Sequence, residues 1–426
     1  MGVSRMNILQ EFTNQELNLA NGCTEPAAVA YAVARASEFS EGKLKKIVVN
    51  MDGYVYKNGM RTGIPGTKKY GGNKLAAALG YFIKNSADKK LTLLNVLNEE
   101  TLKKAEEILD LVELKVIKGQ KDILIKAKII SDNVVESIIE NNHTNLVEIS
   151  LNGDSIYKKI YQNEKNTVEF NLKNEIKNLN INELIGIVNN QYDSSIENYL
   201  KQGYKINNKL AKAGLNNKGC GIGRSYKKTA GDDFIRNTAA KIAAGVDARM
   251  GGAKMAALTS SGSGNQGIFI TLGTYLSGME YKKSESEVLK ATLIAHIIAY
   301  FIKTKMGKLS SLCGLFTAAA PGLLAALLYL EGKDEMIEEG INNLYSDSGG
   351  ILCDGAKTSC AFKAISAFEL ALRHFQFIDN GLECPLPTGY INSDLKKTLE
   401  HQYDLVHPDG NSVNDTLIKT IKDNFS

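Results

Sequence analysis

Apolar and polar positions change rhythm along this chain. Residues 14–36 follow helical spacing, broken by Asn21-Gly22-Cys23-Thr24-Glu25-Pro26. Pro26 suits the first turn of a new helix, because its missing N–H has no intrahelical partner there anyway. Cys23 would then lie just before a helix N-terminus. Lys46–Asp52 reads as a short strand, and Tyr54-Val55-Tyr56-Lys57-Asn58-Gly59 ends on an Asn-Gly pair that signals a hairpin turn. The glycine-rich run 62–73 predicts an ordered loop. Between about 110 and 190 the texture differs. Runs 123–129 and 146–151 are β-like, with Asn, Asp and Gly between them.

From about Glu183 onward the rhythm is helical. Asp232-Asp233 opens a helix carrying Ile235, Ala239, Ile242, Ala243 and Val246, and Gly251-Gly252 closes it. Residues 254–258 also read as helical. Ser284-x-x-Glu287 is a capping box ahead of Val288, Leu289 and Leu293. Residues 314–330 and 357–373 predict two buried, Ala-rich helices. The Lys/Asn-rich tail after Leu395 predicts a surface segment. The fold class expected is α+β, with a helix-rich C-terminal half forming the main core. Three domains follow: a mixed α/β part over 1–108 with the Cys23 loop, a small inserted α+β module over 109–195, and a helical domain over 196–426. The module is poor in catalytic residue types; His143 is its only histidine and it has no cysteine. Its expected role is to support or gate a site built elsewhere.

Composition narrows the function. The chain has 426 residues, 43% hydrophobic and 23% charged, with a net charge of +4. This is enough to bury a large core without disulfide staples, and too weakly basic for a nucleic-acid footprint. Residues 1–10 hold neither a signal-peptide apolar core nor a small-residue cleavage site. The greasiest stretches, 288–302 and 314–330, fall short of a membrane span or carry Lys290, His296 or Pro321. A cytoplasmic protein with no membrane and no nucleic-acid partner is expected. Its cysteines are then reduced, and suit metal binding or catalysis better than cross-linking.

There are six cysteines, with no C-x-x-C pair, which disfavours zinc ribbons and thioredoxin-type sites. Cys313, Cys353 and Cys360 each sit beside small residues at a loop or helix start, where a bulky inorganic group can approach the backbone. Three thiolates on an iron–sulfur cubane leave one iron open as a Lewis acid; four would favour electron transfer. Spacing alone favours ordinary buried thiols. Gly262-x-Gly264-x-x-Gly267 matches the dinucleotide fingerprint literally, but that motif works only between a strand and a helix of a βαβ unit. With 254–258 helical, no dinucleotide is expected. A turn with exposed N–H groups suits a carboxylate, which makes Ser263 and Asn265 candidate substrate contacts; a plain interhelical turn is the alternative. His296, on an apolar helix, reads as a satisfied core histidine. Lys357 fits either a substrate carboxylate or solvent.

Several separated motifs, in one order over most of the chain, resemble the L-cysteine desulfidase family, which is related to the alpha chain of iron–sulfur L-serine dehydratases. They are the Cys23 run, Lys57-Asn58-Gly59-Met60, Gly63-Ile64-Pro65-Gly66-Thr67, Gly262-Ser263-Gly264-Asn265-Gln266-Gly267, Leu312-Cys313-Gly314 and Cys353-Asp354-Gly355-Ala356-Lys357-x-x-Cys360. The resemblance implies a lyase that splits L-cysteine into sulfide, pyruvate and ammonia without pyridoxal phosphate. It implies a [4Fe–4S] cluster on Cys313, Cys353 and Cys360, and Cys23 as the proton acceptor. A base must be a thiolate, and a helix N-terminus lowers a thiol pKa; Glu25 pulls the other way and is assigned as a local orienter. The partner implied is a small amino-acid substrate, L-cysteine or L-serine, and a homo-oligomer is compatible. An L-serine dehydratase, a non-catalytic iron–sulfur sensor and a nicotinamide oxidoreductase stand as alternatives.

Overall fold

The computed structural model describes residues 7–67, 71–120, 122–159, 171–307, 309–382, 384–406, 413 and 418. The first six residues, part of the glycine-rich run and most of the chain beyond Val406 lie outside the described residues. Eight strands occur among them: β1 (Leu19–Asn21), β2 (Lys46–Asp52), β3 (Val112–Ile117), β4 (Leu124–Ile130), β5 (Val134–Glu140), β6 (Leu146–Leu151), β7 (Asp154–Lys158) and β8 (Ala256–Leu258). Six form one sheet in the order β3-β2-β4-β5-β6-β7, parallel between β2 and β3 and antiparallel elsewhere.

The sheet buries one face. Ile47, Val49 and Met51 on β2, Ile125, Ala127 and Ile129 on β4, and Val135 and Ile139 on β5 are fully buried, at the period of two that a one-sided sheet requires. Helices Thr24–Ser37 and Gly72–Phe82 cover that face. Their alanines let them approach closely: a Cβ at Gly80 would collide with the Ala30 carbonyl. Ser137 is a polar residue inside this core, and its hydroxyl donates to the Ala32 carbonyl at 2.7 Å.

A second core is helical. It joins Leu9, Phe12, Leu17 and Cys23 to the helices between Leu172 and Val406. Helix Glu285–Met306 is buried almost all round from Val288 to Met306, as an inner helix must be. The α+β class, the helix-rich main core, the strands near 123–129 and 146–151, the Asp233 cap and the Ser284 capping box all match the sequence pattern. No helix among the described residues is long and apolar enough to cross a membrane.

Five local expectations change. Residues 53–59 form a short helix, Gly53–Gly59, because the Asp52 carboxylate accepts the N–H groups of Tyr54 and Val55 at 2.8 and 3.0 Å. That cap outweighs the hairpin signal, and β2 finds its partners in β3 and β4 instead. Part of the glycine-rich run is helical as well, since helix Gly72–Phe82 starts inside it. The first helix is Ile8–Glu16, earlier than the apolar spacing suggests, and 19–21 form β1. Residues 256–258 are strand β8, paired antiparallel with β1, and not a helix. Beyond Leu395 the chain is a helix, Leu395–Val406, whose Leu395, Thr398, Leu399 and Gln402 recur at helical spacing and are buried against the helical core.

Candidate active site

Cys23 stands at the N-cap of helix Thr24–Ser37 with an extended backbone, φ −80° and ψ 136°, and its side chain makes no capping bond. Its Sγ donates instead to Glu25 Oε2 at 2.8 Å. Gly22 before it has φ +65°, and a Cβ there would stand 2.6 Å from Pro65 Cγ, so only glycine fits this approach. Glu25 also accepts from Thr24 Oγ1 and from Asn58 Nδ2, each at 3.0 Å. Burial alone would raise the Glu25 carboxyl; the nearby His143 and the bonds from Cys23 and Asn58 outweigh it and hold the carboxyl below its ordinary value. Burial, then the Glu25 charge, push the Cys23 thiol well up, against the opposing pull of Arg249. The helix N-terminus therefore does not make Cys23 a resting thiolate. The thiol keeps its proton and shares it with Glu25.

Two backbone bonds draw two other cysteines together. Cys313 N donates to Ile351 O at 2.8 Å and Cys353 N to Ser311 O at 2.7 Å, a two-rung ladder around Leu312 and Leu352. A π-helical turn, Leu315–Ala319, follows Cys313, and such turns concentrate at functional sites. Cys360 opens helix Cys360–Asp379, its N–H bonded to Lys357 O at 2.9 Å. Asp354 locks the intervening loop by pairing with Lys357 and, at 3.0 Å, with Lys363. Burial first, then the neighbouring Cys353, push the Cys313 thiol up to about 12. Burial also raises Cys360, with Cys353 adding to it. The three sulfurs are thus electrostatic neighbours.

The glycine turn closes a third side. Strand β8 leads through Ser261 (φ +50°) and Gly262 (φ +79°) to Ser263, which caps helix Gly264–Glu280 by accepting Gln266 N–H at 3.4 Å. The motif therefore does sit between a strand and a helix, contrary to the helical reading of 254–258. However, β8 has three residues and pairs antiparallel with β1 in a two-stranded sheet, so there is no βαβ unit. A Cβ at Gly264 would collide with the Arg249 guanidinium. Arg249 Nη1 donates to Asn265 Oδ1 at 3.0 Å, and its buried Nε has no hydrogen-bond partner. Among the described residues no carboxylate forms an ion pair with it, although Cys23, Glu25 and Cys360 all act on its charge.

Cys23, Ser263, Asn265, Cys313, Cys353 and Cys360 line one cavity of about 120 Å³. It is small beside the ~300–1,000 Å³ clefts of drug-sized ligands. Gln266 Oε1, Asn58 Oδ1 and Ser261 Oγ, in residues of its wall, are buried without partners, so its surface is ready for a polar guest. Cys220 and Cys384 lie outside the wall. His296 bonds Ser260 at 2.9 Å and Thr271 at 3.4 Å inside the core, as a satisfied core histidine does. Lys357 is held by Asp354.

Arg249 and His143 escaped the sequence reading as site residues. Arg249 carries a weak signal, a cation in the last turn of helix Phe234–Met250, which also carries Arg236, Lys241 and Asp247. His143 carries none, since it reaches the cavity from the β5–β6 hairpin on the other core.

Three cysteines on one wall are a soft donor set, which suits an iron–sulfur group and not a hard, oxygen-bound ion. Three thiolates around one tetrahedral ion would stand within about 4 Å of each other, given a bond of ~2.3 Å. Among the described residues no three His, Cys, Asp or Glu side chains are gathered that tightly. Cubane ligands bond different irons and stand further apart, which three cysteines spread over one cavity wall allow.

A family model described as serine dehydratase alpha chain matches residues 88–409. Arg249, the glycine turn and the three cysteines fall inside that stretch; Cys23, Glu25 and Lys57-Asn58 precede it. The chain is also similar along nearly its whole length to curated relatives named UPF0597 protein. The one from Clostridium tetani is 33% identical over 420 residues, covering 98% of each chain. Those from Clostridium perfringens and Fervidobacterium nodosum are both 32% identical, over 413 residues (95% of each chain) and 397 residues (93% of this chain, 92% of the relative). On the family match and on these full-length relatives, the chain belongs to the serine dehydratase alpha chain family.

Proposed function

We propose that the protein is an iron–sulfur lyase that eliminates sulfide from L-cysteine, leaving pyruvate and ammonia. The observation that supports it most is one small cavity shared by three cysteines from two segments of the chain, a Cys23–Glu25 pair and a guanidinium with no carboxylate ion pair among the described residues. In this reading Cys313, Cys353 and Cys360 hold the cluster. Bound there, a [4Fe–4S] group with one open iron supplies a Lewis acid for the leaving sulfur.

The chain's own groups do the rest. Arg249 takes the substrate α-carboxylate, a charge-assisted contact that its unbonded Nε and its position beside Asn265 favour. Entry of that carboxylate neutralises a buried cation. Cys23 acts as the base, as a thiolate, only once its proton has moved to Glu25 Oε2 across the existing 2.8 Å bond, a transfer that burial and the Glu25 charge oppose in the resting site. That thiolate removes the α-proton, the α-carbon's electron pair forms the new double bond, and the C–S bond breaks toward sulfide. Aminoacrylate is left and hydrolyses to pyruvate and ammonia in water. Asn58 and Thr24 hold Glu25 in line throughout.

The family description favours a second reading, with L-serine as substrate and hydroxide as the leaving group. Anaerobic reconstitution followed by paired assays separates the two. Sulfide from L-cysteine well above pyruvate from L-serine supports the first. The reverse ratio replaces it with the second, and iron uptake without turnover of either leaves a sensor.

A further inference from the structure

We infer that Lys57 is the buried counter-charge of the iron–sulfur group. Its ammonium offsets the negative charge that three metal-bound thiolates bring into the cavity wall. The inference rests on the reading that Cys313, Cys353 and Cys360 bind the cluster.

Lys57 sits on the short helix Gly53–Gly59 and is only 2% exposed. Its Nζ donates to Cys353 O at 2.7 Å and to Ser310 O at 3.5 Å, and lies 5.5 Å over the Tyr54 ring. Among the described residues no carboxylate forms an ion pair with it. Asp354 is an electrostatic neighbour but already bridges Lys357 and Lys363. The cysteine loop thus gathers three ammonium groups, Lys57, Lys357 and Lys363, against one carboxylate, a local balance of 3 − 1 = +2. Burial lowers the Lys57 pKa while the neighbouring Cys353 and Asp354 pull it back up, so an anion in the cysteine wall is what would hold this ammonium charged. Protonated thiols supply none, whereas metal-bound thiolates do.

The ammonium is also held in place. Gly355 has φ +106°, and a Cβ there would stand 2.6 Å from Lys57 O. Ala356 N donates to Asn58 O at 3.4 Å. The backbone of 57–58 is therefore docked on the loop between Cys353 and Cys360. The same dipeptide serves both halves of the site: Lys57 faces the cysteine loop, and Asn58 holds Glu25. Lys57 is thus a positioning residue for the cluster's charge, with no contact to substrate required.

The test compares wild type, Lys57→Met and Lys57→Arg after anaerobic reconstitution with iron and sulfide. Three quantities are read: the rate of iron loss to a chelator, the reduction potential of the cluster, and denaturant unfolding of each apo form. Lys57→Met is expected to lose iron at least tenfold faster and to shift the potential to more negative values, since removing a cation disfavours the added electron. Lys57→Arg restores both in part. Apo Lys57→Met unfolds at no lower denaturant than apo wild type, because it removes an unbalanced buried charge. A Lys57→Met protein with wild-type iron loss and potential overturns the inference. So does one whose apo form is destabilised along with the holo form, which makes Lys57 a plain structural clamp. Wild type that takes up no iron and sulfide overturns the cluster reading itself, before Lys57 is compared.

Discussion

The sheet core and the helical core solve burial in different ways, and the site depends on the difference. The sheet core runs from Ala27 to Ile149 and packs alternating β-branched residues under two Ala-rich helices. Its buried polar groups are tied to nearby backbone: Asp52 caps helix Gly53–Gly59, Asn73 donates to Val55 O and Ser137 to Ala32 O. The helical core buries Arg249, His296, Lys303 and Asn207, each held by a named partner or facing the cavity. It supplies the three cysteines, the glycine turn and the guanidinium. The sheet side supplies Glu25, Lys57, Asn58 and His143 from its rim. Neither core holds a complete site. The cavity exists only where the two dock, so chemistry and interface stability are tied together.

The sharpest way to separate the two sides is a pair of cysteine substitutions. Cys23→Ser should cut turnover by about 10²–10⁴-fold, the usual worth of a positioned base, and leave the iron content at the wild-type level. Cys353→Ser should lose iron and turnover together. Equal iron loss in both variants would make Cys23 a ligand and dissolve the division between a thiol wall and a proton-transfer wall.

Arg249 comes next. Arg249→Met removes a charge-assisted contact worth ~1.5–3 kcal/mol, so KM for the amino acid should rise by about 10–10²-fold with iron retained. A fall in kcat at unchanged KM would move Arg249 from substrate anchoring to tuning the Cys23 charge, on which it also acts.

His296 tests the helical core's tolerance of polar burial. Burial lowers its pKa from 6.5 to about 3, so it stays neutral when folded and protonates on unfolding below pH 6.5. Unfolded chains then bind the extra proton, and stability falls as pH drops from 6.5 toward 3. At pH 5 the cost is 1.5 units, about 2 kcal/mol. His296→Gln should flatten the acid side of a denaturant-unfolding series by roughly that amount. A variant with the wild-type pH slope would show that the acid loss arises elsewhere.

These regions also differ in how far the sequence foretold them. Period-two alternation in β4 and β6 and the caps at Asp233 and Ser284 are local, and local pattern finds them. The hairpin expected at 54–59 failed because the Asp52 side chain caps a helix there, and β2 pairs with strands more than 60 residues away. The helix expected at 254–258 failed because β1, some 240 residues earlier, supplies a strand partner. In the site, cysteines beside glycine carry their own signal. Arg249 and His143 do not, because each becomes part of the cavity only through long-range docking.

The smallest expected effect asks whether the two cores are one cooperative unit. Asn98 caps helix Glu99–Glu107 on the sheet side, its Oδ1 accepting Thr101 N at 2.8 Å. Ser284 caps helix Glu285–Met306 on the helical side, its Oγ accepting Glu287 N at 3.3 Å. Each cap is worth about 1 kcal/mol, so Asn98→Ala and Ser284→Ala are matched perturbations, one per core. The Lys57, Asn58 and Gly355 contacts join the cores at the cavity. Either substitution should therefore lower a single shared transition and speed amide exchange in both cores alike. Exchange that quickens only in the substituted core would mean that the cores open independently, and that the cavity is held by docking alone.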